Sequence, residues 1–168
     1  MSSPDDEFRT FVESRAAALH RSAYLLCGDW HLAQGLVQEA LAKAYRHWGR
    51  VVRADSSEAY VRRIVVNEAN RHWPRDRAPV VDDRRDRPAP GGVAPDLSDE
   101  LVRRARILQA LLALPAPQRA TVVLRYFDGL TERETAAVLN CSEGTVKSQT
   151  SRALVSLKTY LTREEATR

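Results

Sequence analysis

The sequence contains only two cysteines, Cys27 and Cys141, among its 168 residues. They lie far apart in the chain, so we do not expect a disulfide framework to stabilise the fold. Both are expected to be small buried or turn residues in a protein of a reducing compartment.

The sequence also lacks a long apolar run and a basic N-terminal segment. No stretch approaches the length that spans a bilayer. Residues 1–7 are acidic where a secretory signal peptide would be basic. We therefore expect a soluble, cytoplasmic protein without a membrane partner.

The motifs of common enzyme classes are missing as well. The four histidines form neither an HExxH motif nor a Cys/His metal spacing, and there is no Gly-rich phosphate loop or nucleophile elbow. We therefore expect no catalytic residue, no metal, no cofactor and no small-molecule substrate, and we predict that the protein is not an enzyme.

Charge is modest overall and uneven along the chain. The formal net charge is +4 and the sequence pI is about 9.4, which permits a nucleic-acid partner without requiring one. Residues 1–73 carry 10 basic and 9 acidic side chains, residues 74–98 carry 5 of each, and residues 99–168 carry 11 and 8. The most basic third is therefore the C-terminal one.

Apolar spacing predicts a helical domain over residues 1–73. The first helix is expected over Glu7–Leu26 and should end at Gly28. The second should begin after Asp29 as its N-cap and end at Gly49.

A polar loop, Val51–Ser57, and a third helix complete this domain. Ser56 or Ser57 can cap the helix, which should run to about Trp73. No segment of the chain alternates convincingly with period two, so the fold class is predicted to be all-α, with two small helical domains.

Residues 74–98 read as a flexible linker between the two domains. They hold five of the eight prolines, a Gly-Gly pair and the mixed-charge run 82–87. Pro74 should end the third helix, and such a composition cannot bury enough apolar surface to order itself.

The second domain is predicted over residues 99–168, with about four helices. Ser98 should cap the first of them, and the second should extend over Gln118–Phe127 after a Pro-containing turn. A helix-turn-helix follows, and its last helix is expected to fray after Leu161.

The helix-turn-helix has clear start signals. Thr131 and Glu134 can form a capping box on its first helix, and Ser142 can cap the second. The inner face of the first helix is assigned to residues 136–139. The inner stripe of the second is assigned to Val146, Thr150, Ala153, Leu154 and Leu157.

The outer face of the second helix is polar and cationic. It carries Thr145, Ser148, Gln149 and Arg152, with Lys147 on its flank, and residues 144–158 include no acidic side chain. Such a face suits the DNA major groove, where Gln149 could pair with an adenine and Arg152 with a guanine or a phosphate. The alternative is an ordinary helical hairpin with a solvated polar face.

Specific residues resemble those of bacterial sigma factors. Domain 4 of that family is matched by Leu114-Pro115, Gln118-Arg119, Val122–Tyr126, Gly129–Thr131, Glu134–Ala136, Ser142–Ser148 and Ser151–Leu154. Domain 2 is matched by Gly28-Asp29, Leu36–Ala40, Val61, Ile64-Val65 and Asn67. A chain with only these two domains resembles the extracytoplasmic-function (group IV) sigma factors, in particular an actinobacterial SigE-like subgroup.

The resemblance implies an RNA polymerase sigma factor that directs core polymerase to specific promoters and initiates transcription. Its partners would be the β′ clamp and β flap of core RNA polymerase and promoter DNA, and an anti-sigma factor is a candidate partner. The active protein would be associated with the nucleoid. The implied −35 contacts are Thr131, Ser142, Thr145, Lys147, Ser148, Gln149 and Arg152; the −10 contacts are Arg62, Arg63, Asn67, Asn70 and Arg71; the core-polymerase contacts are Leu36, Val37, Gln38 and Glu39. The Val51–Ser57 loop would receive a base flipped from the melted strand.

The sequence departs from the family pattern in three places. Gln34-Gly35 stands where acidic residues are usual, and glycine costs on the order of 1 kcal/mol inside a helix. Gln149 and Thr150 stand where an arginine and an apolar residue are common, and Arg71 replaces an acidic residue. We expect altered core binding and an altered −35 preference.

The length of the linker is compatible with two separated DNA contacts. Its 25 residues span at most roughly 80 Å extended and about 28 Å as a relaxed coil. Two promoter elements two helical turns apart are separated by roughly 70 Å. One hypothesis is that the domains of the free protein pack together and hide both DNA faces.

Three other classes remain open at this stage. A polymerase-independent regulator with a similar helix-turn-helix would bind duplex DNA tightly on its own. An enzyme would need a motif that the sequence lacks. A diverged sigma factor without core binding is conceivable because of Gln34-Gly35.

Overall fold

Helices make up every regular element that the structure describes, which confirms the predicted all-α fold. The structure, a computed structural model, describes residues 2–53, 56–72 and 95–167, without the side chains of residues 95–97. The elements are α1 (Pro4–Cys27), α2 (Trp30–Arg46), α3 (Trp48–Val51), α4 (Ser57–His72), α5 (Pro95–Leu112), α6 (Ala116–Val122), a π-helical turn (Val123–Phe127), α7 (Glu132–Leu139) and α8 (Glu143–Ala166). None of these helices combines the length and the hydropathy of a membrane span.

The junction between α1 and α2 follows the sequence signals. Gly28 has φ 74° and donates its N–H to the Tyr24 carbonyl at 2.7 Å, as a left-handed helix cap does. Asp29 accepts a hydrogen bond from the Leu32 N–H at 2.9 Å. Both predicted signals are confirmed, and they turn α2 back along α1.

The predicted end of the second helix is wrong. Helix α2 ends at Arg46, and the short α3 follows, so Val51 lies in a helix rather than in a polar loop. The cause is an aromatic cluster: the Trp48 ring lies 5.1 Å from Phe8 and 5.2 Å from Phe11, centroid to centroid. Burying Trp48 there turns the chain before Gly49 can act as a cap.

The helices on either side of the predicted linker are described. Ser56 caps α4 by accepting a hydrogen bond from the Ala59 N–H at 3.0 Å, as predicted. Helix α5 begins at Pro95, three residues before the predicted cap Ser98, because proline is well suited to a first helical turn. Residues 73–94, and with them most of the predicted linker, lie outside the described residues.

The helix predicted over Gln118–Phe127 is not uniform. Regular helix ends at Val122, and the next turn is widened to a π-helix. The Asp128 N–H donates to the Val123 carbonyl at 3.0 Å, five residues back. Within this widened turn Tyr126 is 55% exposed.

The start and turn signals of the helix-turn-helix are confirmed. Thr131 and Glu134 form the capping box on α7, and Ser142 accepts from the Thr145 N–H at 3.1 Å. Asn140 adopts φ 53° between the helices, a conformation that asparagine tolerates.

Three details of the helix-turn-helix differ from prediction. Ala137 is exposed, and Leu154 is 44% exposed although the stripe predicted it inside. Helix α8 continues past Leu161 to Ala166. Near its end Glu164 pairs with Arg106 of α5 at 3.4 Å, a long-range contact that the local sequence could not indicate.

The N-terminal half (residues 2–72) and the C-terminal half (residues 95–167) share an apolar core. In one cluster Leu19 of α1 and Val65 of α4 pack with Val123, Leu124 and Val138 of the C-terminal half. A second cluster, built on Leu111, Leu114, Val122 and Ala153, receives Leu25 from α1. The two halves are therefore packed against each other in this structure.

A buried guanidinium also joins the two halves. Arg119, which is 3% exposed, donates to the Leu26 carbonyl at the end of α1 at 2.9 Å. It also donates to three carbonyls at and beyond the end of α5, those of Leu111, Leu112 and Leu114, at 2.8 to 3.2 Å. The last carbonyls of a helix lack partners within the helix, and Arg119 supplies them. Burial lowers the pKa of Arg119 to about 10, so it remains charged at pH 7.

Two glycine substitutions should change stability in opposite directions. A Cβ at Gly28 would lie 2.6 Å from Leu112 Cδ1 and would face a positive φ, so Gly28→Ala should lower the free energy of unfolding by about 1–3 kcal/mol. Gly35 lies inside α2 with no atom within 4 Å of an added Cβ, so Gly35→Ala should raise it by up to about 1 kcal/mol. Urea denaturation of both variants measures this. Equal effects at the two sites would contradict the assigned backbone roles.

Candidate nucleic-acid interface

Two buried side chains fix which face of α8 is presented to solvent. Val146 and Ala153, seven residues apart on one side of the helix, are fully buried. The side chains predicted to contact −35 DNA are therefore turned outward: Thr145, Lys147, Ser148 and Arg152 are exposed and Gln149 is half-buried. From Gly144 to Arg163 helix α8 carries no carboxylate; Glu143 lies in its first turn and Glu164 and Glu165 lie at its end.

The start of α7 is held rigidly beside this face. The Thr131 hydroxyl accepts from the Glu134 N–H at 3.1 Å, and Glu134 Oε2 accepts from the Thr131 N–H at 2.7 Å. These hydrogen bonds lower the pKa of Glu134, so the carboxylate is charged at neutral pH. Thr131 and Ser142 are both exposed, but each hydroxyl accepts a hydrogen bond from the backbone of its own helix.

The unusual residues of α8 have specific surroundings. The Thr150 hydroxyl donates to the Val146 carbonyl at 2.7 Å, so the polar group in this usually apolar position is satisfied within the helix. Lys147 Nζ lies 3.8 Å from Glu132 Oε2 on α7, and the Lys147 side chain is 66% exposed. That ion pair is weak and accessible, which leaves Lys147 available to another anion.

The first two residues of the predicted −10 set are engaged by the other half of the chain. Arg62 is buried: it donates to Glu58 on its own helix at 2.7 Å and to Asp128 Oδ2 at 2.5 Å. Arg63 donates to the Ala137 carbonyl of α7 at 2.5 Å. The Arg62 guanidinium is therefore enclosed between the two halves, whereas Arg63 stays exposed although it contacts the C-terminal half.

The remaining members of the predicted −10 set are accessible. Asn67, Asn70 and Arg71 are exposed on the C-terminal part of α4. Arg71 Nη1 lies 3.4 Å from Glu68 Oε2, and its side chain is 69% exposed. Of the five predicted residues, Arg62 is thus buried and the other four are exposed, with Arg63 bonded to the C-terminal half.

The four residues predicted to contact core polymerase also divide. Leu36 and Val37 are at most 1% exposed and belong to the core between α1, α2 and α4. Gln38 and Glu39 on the other side of α2 are exposed. Direct contact through Leu36 and Val37 does not fit this structure, because both side chains are enclosed by the bundle they stabilise.

A charged network joins α2 to α4 next to the exposed pair. Lys43 bonds the buried Glu68 and lies 3.3 Å from Glu39. The hydrogen bond from Lys43 holds the pKa of Glu68 below its ordinary range. Glu39, Glu68 and His72 bring potential metal-ligand atoms within 4.8 Å of one another, but the Lys43 ammonium already supplies the cation for both carboxylates.

The loop predicted to receive a flipped base is described only at its ends. Val51 is buried in α3, and residues 54 and 55 lie outside the described residues. An open groove of about 460 Å³ adjoins both ends of the loop, lined in part by Phe11, Trp48, Val52 and Ser57. Trp48 is only 4% exposed, so the half-buried Phe11 supplies the accessible aromatic surface of this groove.

Three charged residues with long-range partners were not identified from the sequence. Asp128 contacts residues 66 and 106 positions away, and Arg119 contacts one 93 positions away. Glu68 joins Lys43 across 25 positions. No local pattern encodes such partners. A charged residue inside an apolar run, as at Arg119, nevertheless indicates a buried group that needs a polar partner elsewhere in the chain.

Comparison with known proteins agrees with this arrangement of helices. The family model described as "Sigma-70 region 2" matches residues 11–78, and that described as "Sigma-70, region 4" matches residues 104–157. The RNA polymerase sigma-E factor of Streptomyces coelicolor is 36% identical over 155 residues, which cover 92% of this chain and 86% of that protein. The ECF RNA polymerase sigma factor SigL of Mycobacterium tuberculosis is 31% identical, covering 91% of this chain and 88% of that protein.

A solved structure has the same fold. The sigma factor RpoE from Bartonella quintana, in a co-crystal with the anti-sigma factor NepR, superposes with a TM-score of 0.65. It is 25% identical and is matched over 93% of this chain and 97% of that chain. The chain therefore belongs to the sigma-70 family, as an extracytoplasmic-function RNA polymerase sigma factor that directs core polymerase to specific promoters and initiates transcription.

Proposed function

We propose that the chain divides its promoter contacts between two domains. Residues 1–73 bind core polymerase and the −10 element, residues 99–168 bind the −35 element, and residues 74–98 link the two. The observation that carries this proposal is the outward polar face of α8, anchored by the buried Val146 and Ala153.

The −35 element is read by α8 in the major groove. Arg152 and Lys147 supply positive charge, and Gln149 supplies an amide that can pair with a base edge. The caps at Thr131 and Ser142 aim the N-terminal ends of α7 and α8, which carry partial positive charge, toward phosphates. Phosphate contacts position the helix, and Gln149 discriminates between base pairs.

The −10 element is bound by α4 and the neighbouring loop. Asn67, Asn70 and Arg71 are exposed for this role, and so is Arg63 although it bonds the Ala137 carbonyl. Arg62 requires the C-terminal half to move away. The groove lined by Phe11 and Trp48 adjoins the loop and provides a site for the flipped base.

Core polymerase is contacted through the exposed side of α2. Gln38 and Glu39 touch the β′ clamp, and the buried Leu36 and Val37 hold their helix in place. Domain 4 contacts the β flap. The Lys43–Glu68 bond couples this helix to α4, so that polymerase binding and −10 binding share one rigid unit.

Further expectations follow from the relatives. The Bartonella quintana sigma factor is bound by an anti-sigma factor in its structure, and we infer that an anti-sigma factor is a candidate partner of this chain as well. We also infer that the chain acts in the cytoplasm, at the nucleoid, and that it has no enzymatic activity of its own, since the chemistry of transcription belongs to the polymerase.

Reconstituted transcription tests the proposed function. Core RNA polymerase mixed with the purified chain should start transcripts on genomic fragments at sites that share upstream motifs, whereas core polymerase alone should not. Mapping of transcript 5′ ends provides the measurement. Tight binding of duplex DNA by the chain alone, with no co-purification of core polymerase, would instead favour a polymerase-independent regulator.

Lys147→Ala should reduce the salt dependence of −35 binding. One lost phosphate contact lowers the slope of log affinity against log salt by about 0.9. The measurement is a salt titration of holoenzyme on a promoter found as above. Arg103→Ala is the matched control, because it removes the same charge from α5. Helix α5 contacts the far end of α8, where Arg106 pairs with Glu164, and that end lies roughly 25 Å along α8 from Lys147. An unchanged slope for Lys147→Ala would show that Lys147 faces solvent.

Gln149→Ala should alter preference at a single base pair. Loss of a bidentate amide contact removes about 1–3 kcal/mol of discrimination at one position and little elsewhere. Holoenzyme affinity for a set of promoters, each changed at one −35 position, measures this. Weakening that is uniform across the set would show that Gln149 supports binding without reading sequence.

A further inference from the structure

The carboxylate of Asp128 lies at the seam between the two halves of the chain. Its Oδ1 accepts from Ser22 Oγ of α1 at 2.6 Å, and its Oδ2 accepts from Arg62 Nη1 of α4 at 2.5 Å. The Asp128 and Arg62 side chains are each only 7% exposed. Ser22, Arg62 and Asp128 are called the Asp128 bridge below.

The π-helical turn gives Asp128 this position. With the N–H of Asp128 bonded five residues back to Val123, the turn is wider than an α-helical one. Tyr126 and Phe127 are left half-exposed, while Asp128 turns inward toward α1 and α4. The widened turn therefore directs the Asp128 carboxylate toward α1 and α4 of the other half.

The group that Asp128 holds belongs to the proposed −10 surface. A carboxylate and a phosphate offer a guanidinium the same kind of paired, negatively charged oxygens. The adjacent Arg63 is also held by the C-terminal half, through the Ala137 carbonyl at the end of α7. Consecutive arginines of α4 are thus satisfied by acceptors of this same chain.

The Asp128 bridge does not act alone at the seam. Val123, Leu124 and Val138 pack on Leu19 and Val65 around it, and these apolar contacts exclude water from the charged pair. An ion pair in such surroundings is screened little by salt and has a well-defined geometry. Breaking it leaves Arg62 with Glu58 alone.

We propose that in the free protein Asp128 substitutes for a DNA phosphate at Arg62, so that the C-terminal half withholds this one arginine from the proposed −10 surface until the two halves separate. The proposal rests on the assignment of Arg62 and Arg63 to −10 binding. In the closed chain the Asp128 carboxylate and a DNA phosphate compete for the same Arg62 guanidinium. This gives Asp128 a role other than contact with DNA or polymerase.

Asp128→Asn tests the proposal in the free, full-length protein. The amide keeps the size of the side chain but removes the charge that holds Arg62. Binding of a fluorescein-labelled single-stranded oligothymidylate, measured by anisotropy, should strengthen about tenfold. Asp99→Asn is the matched control, because Asp99 is exposed and its replacement makes the same change in net charge. Equal affinities for the two variants would overturn the proposal.

A second substitution identifies the group that is released. Arg62→Gln in the Asp128→Asn background should abolish the gain, and a gain that persists would contradict the competition at Arg62. If Asp128→Asn fails to fold, as judged by circular dichroism, Ser22→Ala removes one donor to the same carboxylate and should give a smaller gain. No gain from folded Ser22→Ala would then count against the bridge.

Separation of the halves is measured without DNA. Amide hydrogen exchange in α4 and at the end of α1 should be faster in Asp128→Asn than in Asp99→Asn, and identical exchange would overturn the blocking contact. Promoter-dependent transcription with core polymerase is run in parallel on the unmodified chain. Its failure would remove the proposed function, whereas the exchange result would still decide whether Asp128 holds the two halves together.

Discussion

The buried guanidinium of Arg119 is the constraint on which the packed arrangement of this chain depends. It satisfies carbonyls at the ends of α1 and α5, which belong to opposite halves, and it carries its charge into a nearly dry site. A buried cation is costly unless all its donors are used. The carbonyl ends of two helices, each with a partial negative charge, offset that cost. Because the contact requires both helix ends at once, Arg119 fixes where the C-terminal half lies on α1, and the apolar seam and the Asp128 bridge follow from that placement.

This placement connects the fold to the control of DNA binding. The polar face of α8 that is proposed to read DNA stays exposed, and so does the part of α4 that carries Asn67, Asn70 and Arg71. Arg62 of α4 is buried by the C-terminal half, and Arg63 beside it is exposed but bonded to that half. The side of α2 that is proposed to contact polymerase, with Gln38 and Glu39, is accessible in the same conformation. If the proposed contacts hold, core polymerase can bind the closed chain first, and separation of the halves then releases Arg62 for DNA.

Local features of the fold were predictable because short-range chemistry encodes them. The capping box of Thr131 and Glu134, the Ser142 cap and the left-handed Gly28 all depend on residues within a few positions of one another. Helix α3 was missed because it depends on Trp48 packing on Phe8 and Phe11, about forty residues away along the chain. The covered state of Arg62 was missed for the same reason: its partner Asp128 looks like an ordinary helix-ending residue until the two halves are seen together. Leu36 and Val37 lie on the apolar stripe of their helix, so their burial follows from the spacing even though the family motif includes them among the polymerase contacts.

The central claim is that the free chain is closed, with its C-terminal half packed over α1 and α4. Small-angle X-ray scattering of the isolated protein at low concentration measures this directly. A compact chain of this length should have a radius of gyration of about 15 Å, slightly more with the linker included. A value well above about 20 Å, with a scattering profile of two separate lobes, would contradict the account, because Arg119 and Asp128 could not then reach their partners in the other half.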